Sequence, residues 1–270
     1  MKMIKKKLFV SNLCWGRKNN IRIIKYLNNE KISGIDFAPL NYFNSWSNII
    51  ENSKKLKRIF NDHNIEINSI QGIFYKKRYN FFDIKNRKKI TNHFKLIIKL
   101  CKIFKTNKII LGSSKFRNPK KLKLEKANLY FVNYFKYLSK LLKKNKILLC
   151  IETIPKNYKE KFIFDISYLT NLISRINSPN IGINFDTSIY HFQKFDKNKF
   201  LNNKKMIKNI QISERNFNYF DVPSKKNILF IKLLKKQKQF NKISLEIIDK
   251  KYNEKKFLFS IKNLKKINIF

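Results

Sequence analysis

This sequence predicts a closed (β/α)8 barrel, an α/β fold with a parallel sheet in a single domain. Three observations predict it. Short apolar runs alternate with amphipathic helical segments along the whole chain, the pattern of parallel sheets. The strand-plus-helix unit recurs about every 30 to 35 residues, the length one such unit needs. Eight strands and about eight helices can be counted, and eight units argue for a closed ring over an open sheet.

The elements follow in order. Leu8–Leu13 is a short apolar run and Asn19–Glu30 a helical pattern. Gly34–Ala38 reads as a strand and Trp46–His63 as a long amphipathic helix. Glu66–Gln71 and Lys108–Leu111 are strands, followed by helices over Lys85–Phe104 and Leu124–Lys143. The second half holds four strands, Ile147–Glu152, Ile181–Asp186, Lys208–Glu214 and Ile243–Glu246. Helical stretches near Phe164–Asn177, Lys197–Lys205 and Ser224–Lys236 separate them, and a last helix covers about Glu254–Lys265. Gly and Pro number only 5 each, and they fall at element ends. Gly34 and Gly182 open strands, Gly16, Gly72 and Gly112 follow strands, and Pro39, Pro155 and Pro179 flank them.

Composition limits the alternatives. The 270 residues suit one large domain or two small ones, and 43% hydrophobic content with 25 Phe supplies a sizeable, aromatic core. No linker or composition shift marks a second domain, so residues 1–270 read as one barrel. Lys+Arg of 61 against Asp+Glu of 17 gives a net charge of +44. A nucleic-acid partner is one reading of that charge. The other is drift in an AT-rich genome: Lys, Asn, Ile, Phe and Tyr are abundant, and the lysines are spread along the chain, not gathered in one tail or helix. The second is preferred, so no specific nucleic acid is expected, although weak non-specific polyanion binding follows from the charge. Cys14, Cys101 and Cys150 lack metal-ligand spacing and read as small buried hydrophobes in a reducing cytoplasm. The start, MKMIKKKLFVSNLCWG, is basic and then apolar. Its apolar part is short, broken by Ser11 and Asn12, and lacks a small-residue cleavage site, so no signal peptide is expected. No apolar run is long enough to span a bilayer; a cytoplasmic protein without a membrane partner is expected.

The four strands of the second half carry the functional clue. Each reads as a buried apolar run with an oxygen-bearing side chain at or near its end: Glu152, Asp186, Gln211 and Glu246. In a parallel barrel, strand ends converge on one face. Carboxylates buried together repel one another unless something neutralises them, and a divalent cation does so economically. Three carboxylates and one amide oxygen form a hard donor set, suited to Mn²⁺ or Mg²⁺ more than to Zn²⁺. The alternative is that single acids pair with Lys or Arg at the rim.

Motifs in the same order resemble the sugar phosphate isomerase/epimerase group of the xylose-isomerase-like TIM barrels. Ser11-Asn12-Leu13-Cys14-Trp15 resembles that group's opening SNIAW strand, and Gly34-Ile35-Asp36-Phe37-Ala38-Pro39 its GIEIAP. Ser69-Ile70-Gln71 matches the end of its third strand, and Gly112-Ser113 with Arg117 its GSPxxR-like turn. Cys150-Ile151-Glu152 with Pro155 and Tyr158 resembles CIEPNPxxY, and Asn184-Phe185-Asp186-Thr187 its LDTG segment. Ile210-Gln211-Ile212-Ser213-Glu214 resembles HIHISE, and Ser244-Leu245-Glu246 the closing SIE strand.

The resemblance implies a metal held by Glu152, Asp186, Gln211 and Glu246. It also implies that Glu152 and Glu246 act as an acid/base pair on a small sugar or sugar-derived substrate, moving a proton through a metal-bound enediolate. Dimers or tetramers are common in the group. The chain departs from the pattern where Asn209 and Gln211 replace histidines, Ser188 replaces glycine and Ile154 replaces asparagine. These departures motivate a second reading, a barrel that binds a sugar or partner without turnover. A third, the AP-endonuclease branch, needs many histidines, and the chain has 3.

Further residues carry smaller expectations. Gln71 is a substrate contact or a loop cap. Arg117 is a phosphate or carboxylate binder or a solvated cation. Glu214 reaches the pocket or pairs near Arg215. Trp15 is a pocket wall or fills the barrel end. His191, after Asp186, is a substitute ligand or a loop histidine. His63 and His93 read as structural.

Overall fold

The computed structural model describes residues 6–249 and 251–267; Met1–Lys5, where the basic N-terminal stretch begins, lies outside the described residues. Among the described residues eight parallel strands close into a barrel in sequence order: β1 (Lys7–Ser11), β2 (Gly34–Phe37), β3 (Glu66–Ile70), β4 (Lys108–Leu111), β5 (Leu148–Glu152), β6 (Ile181–Asp186), β7 (Ile207–Ile212) and β8 (Lys242–Leu245). The helices are α1 (Asn20–Asn29), α2 (Pro39–Tyr42), α3 (Ile49–Asp62), α4 (Arg87–Phe104), α5 (Leu124–Lys144), α6 (Ile166–Ile176), α7 (Lys197–Asn202), α8 (Lys225–Lys235) and α9 (Glu254–Lys266). No described helix is long and apolar enough to cross a membrane.

The expected elements are present, with shifted ends. The long helix expected over Trp46–His63 begins only at Ile49, behind Asn48 in a left-handed conformation (φ 51°). The first apolar run stops as a strand at Ser11, whose hydroxyl accepts from the Leu13 N–H and opens a 3-10 turn over Asn12–Cys14. β7 and β8 end at Ile212 and Leu245, so Ser213, Glu214 and Glu246 stand just past the sheet.

Two compact units make up the chain. The first comprises Met1–Asn68, Asp186–Lys194 and Asn209–Phe270. Within it β1 lies between β2 and β8, with Phe9 opposite Gly34, Ser11 opposite Asp36 and Val10 opposite Leu245. Gly34 is dictated by crowding: a Cβ there would stand 1.8 Å from the Glu66 carbonyl oxygen. At one end of β1, Trp15 is buried edge-on against Phe257 of α9, centroids 5.7 Å apart, and its Nε1 donates to Asn20 Oδ1 at 2.8 Å. Trp15 therefore fills core space.

The second unit comprises Ser69–Phe185 and Phe195–Lys208. β4, β5 and β6 are neighbours there, with Ile110 opposite Cys150 and Glu152 opposite Asn184. The aromatic residues form a continuous cluster in this unit. Phe74 stacks on Phe116 at 4.0 Å, and Phe81 meets Phe116, Phe131 and Phe135 at 5.7, 5.7 and 5.5 Å. All three cysteines are buried and free, as their apolar settings suggested.

Helix ends follow local chemistry. Asp165, Asp196, Ser224 and Asn253 cap α6, α7, α8 and α9 with side-chain oxygens. With glycine scarce, the left-handed turning points after helices and strands fall to other residues, among them Lys31, Lys105, Lys146 and Asn177, at φ 56°, 54°, 55° and 51°.

His93 lies within α4 and is structural, as its position suggested. Its Nε2 donates to the Ile73 carbonyl, and burial lowers its pKa to about 4. The unfolded chain, with a histidine pKa near ~6.5, then binds a proton that the folded chain refuses. The stability this contributes is complete above the unfolded value and is lost as pH falls toward the folded one. Substituting His93→Gln, which keeps a donor for Ile73, should flatten that fall by about 2 kcal/mol between pH 7 and pH 5. Urea unfolding at the two pH values measures it, and an unchanged pH dependence would refute the assignment.

Candidate metal centre

The centre is built from strand ends. Glu152 and Asp186 are the last residues of β5 and β6, and Glu246 immediately follows β8. All three are buried, and one carboxylate oxygen of each lies within 4.8 Å of the others. Three of the four expected ligands are thus brought together.

Asp186 is the most enclosed of them. Its Oδ1 accepts from the Ser188 N–H at 2.6 Å and its Oδ2 from the Ser213 hydroxyl at 3.0 Å. Burial pushes the Asp186 carboxyl above the usual carboxylate range, and its hydrogen bonds with Glu246, Ser188 and Ser213 only partly offset this. Glu246 is fixed at its backbone, where its N–H donates to the Ile212 carbonyl at 2.9 Å.

Glu152 leans over β4. A Cβ on Gly112 would lie 2.2 Å from Glu152 Oε2, so the carboxylate occupies the space that any larger residue would fill. The Asn184 amide donates to the same oxygen at 3.3 Å.

Gln211 departs from expectation. It is fully buried, but its nitrogen, not its carbonyl oxygen, meets the acids: Nε2 is 3.2 Å from Asp36 Oδ2 and 3.3 Å from Glu246 Oε1. Carboxylates only accept, so the donor end of the amide must face them. The oxygen-ligand role expected for Gln211 gives way to a bridge between two carboxylates. Asn209, also in a histidine's place, accepts from Asn68 Nδ2 at 3.3 Å.

The remaining candidates divide. Arg117 is neither solvated nor open to an anion through its whole fork: it is fully buried, and Nε and Nη2 each lie 2.8 Å from Glu160 Oε2. The other Glu160 oxygen accepts from the N–H groups of Lys161, Phe162 and Ile163, so the pair braces the segment after β5. Glu214 pairs not with Arg215 but with α8, accepting from the Ser224 N–H and the Asn227 amide at 2.9 Å each. Arg215 lies over the Phe192 ring. His191 is no substitute ligand, because its Nε2 faces the Ser213 carbonyl at 3.1 Å and Glu214 at 3.6 Å. Gln71 is buried just past β3. Sequence reasoning missed Asp36, Asn68 and Ser244 as site residues. The available signal was a polar residue in the inner part of each short strand.

Comparison with known proteins follows the same line. The xylose isomerase-like TIM barrel family matches residues 31–262. No curated protein sequence matches the chain. Among solved structures, 3-keto-D-glucoside 4-epimerase from E. coli superposes with a TM-score of 0.77 at 12% identity, covering 97% of this chain and 100% of its own. AP endonuclease family 2 from Brucella melitensis gives 0.73 at 13%, covering 91% and 94%. The IOLI protein with a bound zinc atom gives 0.70 at 15%, covering 97% of each chain. At these identities the likenesses show the fold.

Proposed function

The chain belongs to the xylose isomerase-like TIM barrel family, and from that premise we propose that residues 1–270 form one divalent-metal-dependent isomerase or epimerase of a small sugar or sugar-derived compound. One observation carries the reading. In a chain where Lys+Arg outnumber Asp+Glu by 61 to 17, three acids are buried together at strand ends. Burial of like charges is costly without a counter-charge.

The donor set fits such an ion. Glu152, Asp186 and Glu246 would hold it, and carboxylate oxygens alone suit Mn²⁺ or Mg²⁺. A divalent ion, when bound, stabilises negative charge developing on substrate oxygens and acidifies the adjoining C–H. Glu152 and Glu246 are the proton-moving pair. One takes the proton from the carbon next to the substrate carbonyl, and the other returns one from the opposite side. Asp186, fixed by Ser188 and Ser213, holds its place while the glutamates work. A second reading, binding without turnover, draws on the nitrogen that Gln211 presents where an oxygen ligand was expected.

The test is exchange of solvent hydrogen. Incubated with Mn²⁺ and a panel of ketoses in D₂O, the protein should place deuterium on the carbon beside the carbonyl of at least one. EDTA should stop the exchange and added Mn²⁺ should restore it. Mn²⁺ uptake with no exchange into any ketose would leave the binding reading in its place.

A further inference from the structure

We infer that Asp36 is a positioning residue for Glu246, acting through the carboxamide of Gln211; the inference rests on the metal-dependent reading above. Asp36 is a fully buried carboxylate in the middle of β2, and the proposed chemistry leaves it without a role. Its surroundings supply one. Asn68 Nδ2 donates to Asp36 Oδ1 at 2.8 Å, and Gln211 Nε2 donates to Oδ2 at 3.2 Å. The same Gln211 nitrogen lies 3.3 Å from Glu246 Oε1. An amide NH₂ has two hydrogens, and this geometry aims one at each carboxylate.

Two acceptors facing one donor group fix the sense of the amide. Turned over, Gln211 would set its carbonyl oxygen against two carboxylates in a dry interior, where an unmatched polar group is destabilising. Asp36 thus keeps the donor end of Gln211 pointed at Glu246. It is itself held from behind by Asn68, whose Nδ2 also reaches Asn209 Oδ1 and Ser244 Oγ, each at 3.3 Å. An asparagine at position 36 would offer its own NH₂. Gln211 could then present its oxygen, and Glu246 would lose its directed donor. The carboxylate pair, not the local packing, is what an isosteric Asp36→Asn change removes.

The test is a double-mutant cycle read by Mn²⁺ binding to the metal-free full chain, measured by calorimetry. Asp36→Asn should weaken binding about tenfold, as loss of a group behind a metal ligand does, and Gln211→Asn should do the same. The double variant should bind no more weakly than the weaker single one, because both changes break one path. The EPR spectrum of bound Mn²⁺ should change alike in both singles. Asp36→Ser replaces Asp36→Asn should the latter fail to fold. Binding by the Asp36 variant as tight as that of the unsubstituted chain, or losses that multiply in the double variant, would overturn the inference alone. Failure of the unsubstituted chain to bind Mn²⁺ would overturn the metal reading and this inference together.

Discussion

Replacing Glu246 with Gln should lower hydrogen exchange on the substrate by about a thousandfold or more at saturating Mn²⁺, since a positioned acid or base is worth roughly 10²–10⁴ in rate. The change is isosteric. The new side chain retains an oxygen to accept from Gln211 Nε2, which now lies 3.3 Å from Glu246 Oε1. It also brings an NH₂ toward Asp186, whose carboxyl is hydrogen-bonded with Glu246 and raised by burial. A neutral amide then donates to Asp186 where two acids had to share a proton, so thermal stability should hold or rise while exchange is lost. Exchange at the unsubstituted rate in a folded Glu246→Gln protein would remove Glu246 from the chemistry.

Gly112→Ala should also be damaging, by a steric route. The added methyl would lie 2.2 Å from Glu152 Oε2, far inside contact distance, and 3.0 Å from the carboxyl carbon. The end of a glutamate is flexible, so the side chain rather than the strand should give way. That motion takes Glu152 away from the Asn184 amide, which donates to the displaced oxygen. Mn²⁺ affinity and exchange should both fall by about tenfold or more, with the melting temperature little changed. A double change, Gly112→Ala with Glu152→Gln, should be no worse than Glu152→Gln alone. Unaltered exchange in Gly112→Ala would show that Glu152 can work from another position.

The barrel was legible because its signals are long and repeated. Eight apolar runs, each followed by a helical pattern, fix strand order and direction before any contact is known. Positions at the ends of β5 and β6 and just past β8 placed Glu152, Asp186 and Glu246 at one end of the sheet for the same reason. What a linear pattern does not carry is the direction in which a side chain's polar atoms point. The position of Gln211 is legible in the sequence; which end of its amide meets the acids is not, because that depends on Asp36, in the second strand of the chain. Arg117 was misread as a surface or anion-binding cation for a similar reason: its partner Glu160 lies in the following strand-to-helix segment. Asp36 drew no notice as an acid in an apolar strand until Asn68 and Gln211 were seen to converge on it.

The left-handed turning points have a thermal consequence. Lysine at Lys31, Lys105 and Lys146 holds a conformation that glycine adopts freely, and each such residue carries a penalty of order 1 kcal/mol. Stored across several loops, that burden is comparable with a sizeable part of the ~5–15 kcal/mol by which proteins of this kind stay folded. Glycine at these positions would relieve part of that burden, less what its freer unfolded chain takes back, so these turns are places where an engineer seeking a hardier version could begin.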